Sequence, residues 1–317
     1  MPGGQPGTGL VKGDVMRVGI SLGTAYRAGD RNGAASVVSQ ARAARDGGLD
    51  VLSVGDHHAT GPMPYLQNTP MLGRVLAEWD ERPSGCLFLV PLWHPVLMAE
   101  QIGTLADIAR GPFVVQTGLG GGSAQFRAMG VAPSERVRRL EEGIGLVRAL
   151  LDGETVSSTT FGFADARVAP VPTKGTEWWV GADSPRAIER SARLGDCWYA
   201  NADLTPASAR EKLARYREAC DRHGREPVRL PIRKDVFVAE TAAEARAVGD
   251  RLMEAGYRGF PRDAVAYGDP EGVAEQLAVY AEIGFTDVII RTMTAPLEAA
   301  VRSVELAGEV RARLQSA

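Results

Sequence analysis

Short apolar runs alternate with longer stretches of helical periodicity along the chain, starting near Met16. Eight of these runs are bounded by turn residues and have the length of strands. They span residues 17–22, 50–54, 86–90, 113–116, 178–180, 197–199, 236–239 and 287–290. The pattern therefore predicts eight β-strands, each followed by helical sequence.

The sequences between the runs carry signals for helix starts and stops. One stretch places apolar residues three or four positions apart and ends at Gly153, and its stripe is Val137, Leu140, Ile144, Val147 and Leu151. Three other stretches begin with a capping side chain followed by proline, namely Ser184-Pro185, Thr205-Pro206 and Asp269-Pro270. Thr241 and Glu244 have the spacing of a capping box.

Runs that are apolar along their whole length are typical of parallel strands covered by helices. Eight strand–helix units in about 300 residues predict an α/β fold, a (β/α)8 TIM barrel with insertion segments, as a single domain over residues 16–317. An open doubly wound sheet is the alternative. Residues 1–15 contain Gly and Pro without an apolar signal segment, so we expect a flexible leader. Two long connections, 154–177 and 257–269, are candidate lids or excursions.

Composition limits the classes of partner. The 317 residues are 44% hydrophobic and 24% charged with a formal net charge of −3, and no tract of Lys and Arg occurs. Nucleic acid and membranes are therefore not expected as partners, whereas a small molecule is. Cys86, Cys197 and Cys220 form no CxxC pair, so we expect buried, reduced thiols in a cytoplasmic protein.

The active site of such a barrel lies at the carboxyl ends of its strands, where Asp56, His57 and His58 follow the second run. Histidine titrates near neutral pH and can transfer protons. Successive strand side chains point to opposite faces, so at most one of the two histidines lines the cavity. We expect His57 to face the mouth and His58 to pack outside it. A polar strand end without chemistry is the alternative.

Two glycine-containing strand ends are candidate cofactor sites. The run from Gly118 through Gly120 to Ser123 has serine at the sixth position, where a dinucleotide fingerprint has glycine, and no acidic strand end follows about 20 residues on. It still lets a flat ring approach the backbone, although a plain turn explains it nearly as well. At Gly181, a strand end leads directly into a helix capped by Ser184, an arrangement that offers N–H groups to a phosphate. The charge of Asp183 opposes this, and simple helix capping is the alternative.

Other motifs narrow the chemistry. We find no GxSxG elbow, no P-loop and no HxH or HExxH spacing, so hydrolysis by a serine nucleophile, phosphoryl transfer and a metal site lack support. Arg291 follows the last strand and is a candidate for binding an anionic group, with a surface salt bridge as the alternative. Trp93 is a candidate wall of the substrate pocket, and His94 is expected to cap a helix.

Six segments together resemble the bacterial luciferase-like flavin-dependent oxidoreductases, also called luciferase-like monooxygenases. These segments are MRVGISLG, GLDVLSVGDHH, PLWHPVLMAEQIGTLADIARGPFVVQTGLGGG, ERVRRLEEGIGLVRALLDG, VPTKGTEWWVGADSPRAIERSARLGDCWYAN and GDPEGVAEQLAVYAEIGFTDVIIR. The resemblance extends from Met16 to Leu314. Arg110-Gly-Pro112, where the family commonly has Gly-Arg, and the acidic Asp183 depart from the family pattern.

The resemblance implies a barrel that binds FMN, or the deazaflavin coenzyme F420, at its mouth, usually in a homodimer. The most direct function is a two-component monooxygenase that uses O2 and reduced FMN from a separate flavin reductase on a small organic substrate. A deazaflavin-dependent hydride-transfer enzyme and a flavin-binding protein without turnover are the alternatives. A barrel metallohydrolase is a third alternative.

The resemblance also implies roles for individual residues. Catalysis would fall on His57. From their positions at the strand ends, we also predict that Asp56 takes part in catalysis and that Trp93 and Arg291 bind the substrate. The residues at the cofactor would be Ser21, His57, Gly118, Leu119, Gly120, Gly181, Ala182, Asp183 and Ser184. A cis peptide is common in the family's third strand, and Phe88–Leu89 is its expected place here.

Overall fold

The computed structural model describes residues 15–293 and 297–316. The leader predicted for residues 1–15 therefore lies, apart from Val15, outside the described part of the chain. The strands are β1 (Arg17–Leu22), β2 (Leu52–Val54), β3 (Ser84–Phe88), β4 (Phe113–Thr117), β5 (Val156–Ser158), β6 (Phe163–Ala166), β7 (Thr176–Gly181), β8 (Cys197–Tyr199), β9 (Pro231–Val238), β10 (Val265–Gly268) and β11 (Asp287–Thr292).

Helices connect these strands and cover the sheet. They are α1 (Gly33–Asp46), α2 (Asn68–Leu76), α3 (Pro95–Ile108), α4 (Ser123–Ala128), α5 (Arg136–Leu151), α6 (Pro185–Leu194), α7 (Pro206–Arg222), α8 (Ala242–Glu254), α9 (Pro270–Ile283) and α10 (Leu297–Ser316). Ser184, Thr205 and Asp269 accept a hydrogen bond at the starts of α6, α7 and α9, and Thr241 and Glu244 form the predicted capping box of α8. Within the described residues, no helix is long and apolar enough to cross a membrane.

Nine of the described strands form one sheet in the order β10-β9-β11-β1-β2-β3-β4-β7-β8, and its strand pairs are parallel. The sheet closes on itself because Ala200, just after β8, forms a parallel bridge with Ile232 of β9. Its N–H donates to the carbonyl of Pro231 at 3.0 Å, and its carbonyl accepts from the N–H of Arg233 at 3.0 Å. A closed ring of eight parallel strands is a TIM barrel, so the predicted fold is confirmed and the open sheet is excluded.

The side chains separate into two groups. A small inner core fills the barrel and consists of Val51, Val114, Trp179, Cys197, Tyr199 and Ile289. A larger outer core lies between the sheet and the helices. Glycine is required on β3, where a Cβ at Gly85 would lie 1.8 Å from the carbonyl oxygen of Val114. The three cysteines are buried and free, as expected.

The eight predicted runs correspond to the eight barrel strands, but the sequence prediction is wrong about the length of β9. The apolar run predicts a strand over 236–239, whereas β9 begins at Pro231. The strand includes the charged residues Lys234 and Asp235 because the barrel buries both of them. Both long connections contain structure that was not predicted. Residues 154–177 include the β5–β6 hairpin, and residues 257–269 include β10, which pairs with the outer end of β9.

Candidate active site

Four barrel strands end in a glycine at the mouth. These residues are Gly23 after β1, Gly55 after β2, Gly118 after β4 and Gly181 at the end of β7. These four glycines face the inside of the barrel. On β1, a Cβ at Gly19 would lie 2.7 Å from Ile289 Cδ1 in the inner core, and because every second residue of a strand shares a face, Ser21 and Gly23 also point inward. The same parity applies to the other three strands. Without Cβ atoms, these strand ends form a floor that a planar ring can approach closely.

Asp56, His57 and His58 divide between the two faces of the sheet as the alternation predicted. Asp56 is buried and points outward, where its Oδ2 accepts hydrogen bonds from the backbone N–H of Leu89 and from Trp93 Nε1, both at 2.8 Å. His58 Nε2 lies 3.2 Å from Asp56 Oδ1. These contacts join the end of β2 to the segment after β3, so Asp56 holds the structure around the mouth and does not line it.

His57 lies on the inner side of the mouth. Its ring packs against Tyr65 with ring centroids 5.7 Å apart, and Tyr65 stands over the glycine floor because a Cβ at Gly55 would lie 2.9 Å from its hydroxyl. Burial lowers the pKa of His57 below its usual value near 6.5, and Arg291 and Arg258 lower it further. The Asp56 carboxylate opposes this shift. The His57 imidazole is therefore neutral at pH 7 and able to accept a proton.

Two buried polar side chains lie on the inner face of the barrel near the floor, since Gln116 precedes Gly118 by two positions on β4 and Tyr199 of β8 pairs in register with Gly181. Gln116 and Tyr199 are buried in the barrel, and Gln116 Nε2 and the Tyr199 hydroxyl make no hydrogen bond of normal geometry with the described residues. Burial raises the pKa of Tyr199, so its hydroxyl stays protonated. The Gln116 side chain is near enough to lower the pKa of Tyr199 against the effect of burial, so the two groups interact with each other. Their remaining hydrogen-bonding capacity could serve a polar ligand at the mouth.

The other glycine-containing strand end leads into α6. The Ser184 hydroxyl accepts from the N–H of Ala187 at 3.4 Å, and the carbonyl of Ala182 accepts from Trp198 Nε1 at 2.9 Å. The ammonium group of Lys212, from α7, forms an ion pair with the Asp183 carboxylate. Lys212 therefore neutralises the negative charge of Asp183, which would otherwise disfavour a phosphate at the start of α6.

The opposite side of the mouth carries three arginines, Arg233 from β9, Arg258 from the turn after α8 and Arg291 from β11. The fully buried carboxylate of Asp235 lies between two of them, 3.5 Å from Arg233 Nε and 3.6 Å from Arg258 Nε. The Tyr257 hydroxyl donates to the same carboxylate at 2.9 Å. Arg291 Nε would lie 3.8 Å from a Cβ at Gly23, at the edge of the glycine floor. We call Arg233, Arg258, Arg291 and Asp235 the arginine cluster.

A cavity of about 1020 Å³ adjoins this side of the mouth. It extends between the segment after β1, helix α1 and helix α10, and its wall includes Arg291, Tyr26, Val37, Met63, Leu297 and Val301. The wall also carries polar side chains, among them Arg27, Asp30, Gln40 and Glu298. The cavity has room for the organic part of a small molecule whose polar end reaches Arg291.

The remaining predicted residues lie near the mouth or behind it. Trp93 packs edge-on against Phe88, with centroids 5.1 Å apart, and donates to Asp56, so it belongs to the wall behind the mouth. Leu119 packs outward against the outer core. Gly120 adopts a φ of 75°, which favours glycine. The expectation at Phe88–Leu89 was wrong, because the cis peptides of the described residues are Gly61–Pro62 and Ala169–Pro170.

The two candidate lids differ in position. The β5–β6 hairpin packs on the outer helices, where Ser158 and Thr160 donate to Glu142 of α5 and Phe163 packs against His94, with ring centroids 5.3 Å apart. The segment after α8 reaches the mouth through Tyr257 and Arg258. Only this second segment contributes side chains to the candidate site.

Sequence reasoning missed most of the arginine cluster as well as Gln116 and Tyr199. Arg233 and Asp235 stand two positions apart beside an apolar run, and that spacing was a signal that a charged strand face points into the barrel. Arg258 gave no such signal. Among the described residues, no group of three or more His, Cys, Asp or Glu side chains is arranged to hold a metal ion.

Comparison with known proteins gives consistent matches. The family model for luciferase-like monooxygenases matches residues 16–267. The chain is 31% identical over 166 residues to an F420-dependent glucose-6-phosphate dehydrogenase of Beutenbergia cavernae, covering 48% of each chain. It is 26% identical over 183 residues to an FMNH2-dependent dimethylsulfone monooxygenase of Pseudomonas fluorescens, covering 56% of this chain and 49% of the relative. The matches thus span about half the length of these relatives.

A solved structure shows the same fold over nearly the whole chain. The monooxygenase RslO1 from Streptomyces bottropensis superposes with a TM-score of 0.80 at 20% identity, covering 93% of this chain and 98% of that one. The family model and this likeness agree with the closed barrel. The chain belongs to the luciferase-like monooxygenase family.

Proposed function

We propose that this protein is the oxygenase component of a two-component flavin-dependent monooxygenase. It binds reduced FMN, supplied by a separate flavin reductase, at the barrel mouth and uses O2 to oxidise a small organic substrate. One oxygen atom enters the substrate, the other leaves as water, and FMNH2 is oxidised to FMN. We expect a cytoplasmic homodimer.

The glycine floor is the observation that carries this proposal. Gly23, Gly55, Gly118 and Gly181 place no side chain on the inner face at four strand ends around the mouth, and Gln116 and Tyr199 bring buried polar atoms to the same region. A flavin ring is flat and has polar atoms along one edge. The floor and the unpaired polar atoms therefore fit such a ring better than they fit a flexible polar ligand.

The start of α6 provides a separate place for the phosphate of FMN. Ser184 and the backbone N–H groups of the first helical turn are the donors, and Lys212 supplies a positive charge. The protein contributes binding, orientation and exclusion of water, while reduced flavin, when bound, supplies two electrons to the reaction.

His57 is the proposed catalytic residue. Its neutral ring stands at the edge of the floor, where it can take a proton from a reacting group or, once protonated, donate a hydrogen bond to a developing oxyanion. Asp56 is a positioning residue because both its oxygens face the protein interior. Trp93 acts through the same network.

A deazaflavin-dependent hydride-transfer oxidoreductase is the second candidate. It is supported by the similarity to an F420-dependent glucose-6-phosphate dehydrogenase. The flat floor suits either ring, so the two candidates differ in reactivity towards O2.

A titration distinguishes these candidates. The quenching of tryptophan fluorescence by oxidised FMN, reduced FMN and the deazaflavin coenzyme reports binding, and an oxygen electrode reports turnover. Tight binding of reduced FMN with oxygen consumption supports the monooxygenase. Preference for the deazaflavin without oxygen uptake supports hydride transfer, and binding of neither coenzyme contradicts both.

A further inference from the structure

The arginine cluster carries more positive charge than the described residues around it neutralise. Arg233, Arg258 and Arg291 bring three positive charges, and Asp235 brings one negative charge. The ionisable groups that face the cluster from neighbouring elements are His57, Tyr65, Tyr199 and Tyr257. Burial lowers the pKa of His57 and raises the pKa of each of these tyrosines, so all four are neutral at pH 7. Among the described residues, Asp235 is thus the one carboxylate in contact with these arginines. Farther groups also act here, since Lys234 lies within electrostatic reach of Arg233, Asp56 acts on His57, and Glu298 lines the cavity beside Arg291.

The backbone conformation and the partial burial of Arg258 are both energetically unfavourable. Its φ of 51° lies in the left-handed region, which costs a non-glycine residue about 1 kcal/mol. Burial lowers the pKa of its guanidinium, and the positive charges of Arg291 and Arg233 add to this effect. Unfavourable backbone and charge states of this kind persist where they serve binding. The ion pair with Asp235 and the packing of the guanidinium over Phe260, 5.0 Å from the ring centroid, favour an arginine here, but Asp235 is shared with Arg233 and leaves Arg291 without a carboxylate partner among the described residues.

The cluster is separate from the proposed phosphate site of the cofactor. In the barrel, β8 stands between β7, which leads to Ser184, and β9, which carries Arg233 and Asp235. Arg291 instead lines the cavity of about 1020 Å³ beside α1 and α10. An anionic group at the cluster would thus have its organic part in that cavity and its reacting part over the glycine floor.

We propose that the substrate of this enzyme carries an oxyanion, a carboxylate, sulfonate or phosphate group, which Arg233, Arg258 and Arg291 bind at the barrel mouth. The inference rests on the proposed function because it names the substrate class of the same site. Guanidinium groups suit this chemistry since each presents paired N–H donors to two oxygens. Asp235, with its hydrogen bond from Tyr257, keeps Arg233 and Arg258 at a fixed spacing and is itself a positioning residue.

The test uses the full protein and three small probes, namely acetate, methanesulfonate and inorganic phosphate, titrated by calorimetry at pH 7. We expect one of them to bind with a stoichiometry of one, and the tightest probe identifies the group. Arg258→Gln and Arg291→Gln should each weaken its binding at least about tenfold, and Arg258→Lys should restore part of the loss. Arg262→Gln is the matched control because Arg262 pairs with Asp250 outside the cluster.

Two further measurements keep the outcomes separate. Circular dichroism and thermal melting should show that Arg258→Gln is folded at the temperature of the titration, and Arg258→Lys, which keeps a positive charge beside Asp235, separates loss of the guanidinium from loss of the ion pair. FMN titration of Arg258→Gln and of the control Arg262→Gln should give the affinity of the unmodified protein. Failure of FMN to bind while the probe still binds would contradict the proposed function and leave the anion site in place.

The inference itself is wrong if none of the three probes binds, or if Arg258→Gln and Arg262→Gln weaken binding equally. It is also wrong if Lys212→Ala abolishes probe binding and Arg258→Gln does not, because the anion would then occupy the start of α6.

Discussion

The indole nitrogen of Trp93 and the carboxylate of Asp56 lie 2.8 Å apart and join two strand ends at the barrel mouth. The same carboxylate oxygen accepts the N–H of Leu89, and the other faces His58. The carboxylate that sequence reasoning assigned to catalysis thus fixes the geometry around His57. Its position explains why three ionisable residues follow one another at the end of β2.

Replacing Asp56 should therefore lower the free energy of unfolding, and the loss should be larger when both carboxylate oxygens are removed than when one oxygen is kept. Asp56→Ala leaves the buried N–H groups of Leu89 and Trp93 without an acceptor, and we expect a loss of about 3 kcal/mol in the free energy of unfolding. Asp56→Asn keeps one oxygen and should lose about 1 kcal/mol. Urea denaturation followed by circular dichroism measures both. Equal losses would show that the carboxylate does not act through these two donors.

His57 should titrate below the usual histidine range. NMR of the ring signals of the four histidines, assigned with His57→Gln, measures its pKa. Arg291 lowers this pKa, so Arg291→Gln should raise it, whereas Arg262→Gln should leave it unchanged. If the pKa of His57 is the same in Arg291→Gln as in the unmodified protein, the two side chains do not interact.

The lowered pKa of His57 has a defined effect on stability. Between the folded and unfolded pKa values, the unfolded chain binds the proton that the folded chain does not. The contribution of neutral His57 is therefore complete above the unfolded pKa, near 6.5, and is lost as the pH falls through the lower folded value.

In turnover, His57→Gln should lower kcat about a hundredfold with FMN affinity retained, and unchanged kcat would remove His57 from the reaction.

Lys212 and Asp183 should have opposite effects on FMN. Lys212→Ala removes a positive charge from the start of α6 and should weaken FMN binding about tenfold. Asp183→Asn releases Lys212 from its ion pair and should strengthen that binding. Riboflavin lacks the phosphate and is the control ligand, since its affinity should change in neither variant. A parallel change in riboflavin binding would place the effect away from the phosphate.

Gly118→Ala tests the glycine floor. The new methyl group would stand in the floor, 3.2 Å from Leu89 Cδ2, a flexible side-chain end that can move slightly. We expect a folded protein that binds FMN about tenfold more weakly. Gly145→Ala on α5 is the matched control because nothing lies within 4 Å of its Cβ. Its stability should rise by up to about 1 kcal/mol with unchanged FMN binding, and an equal effect of both variants on FMN would contradict the floor.

The sequence predicted the barrel because its signals are local. Eight apolar runs, helix caps such as Ser184 and Asp269, and the alternation that separates His57 from His58 each involve neighbouring residues. Prediction was weakest where a local pattern was broken. The first half of β9 was not predicted because Arg233, Lys234 and Asp235 interrupt the apolar pattern. Their burial becomes favourable only inside the closed barrel, which the local sequence does not show.

The arrangement of the site was decided by the tertiary structure. Arg233, Arg258 and Arg291 are far apart in sequence and meet because β9 and β11 pair in register and the turn after α8 folds back to the mouth. The pairing of Lys212 with Asp183 likewise depends on how α7 packs against α6. The sequence by itself determined the barrel strands except for the first half of β9, the capped helices, and the opposite directions of His57 and His58. Barrel closure determined which distant charges face one another, because that depends on contacts between segments that carry no local signal of each other.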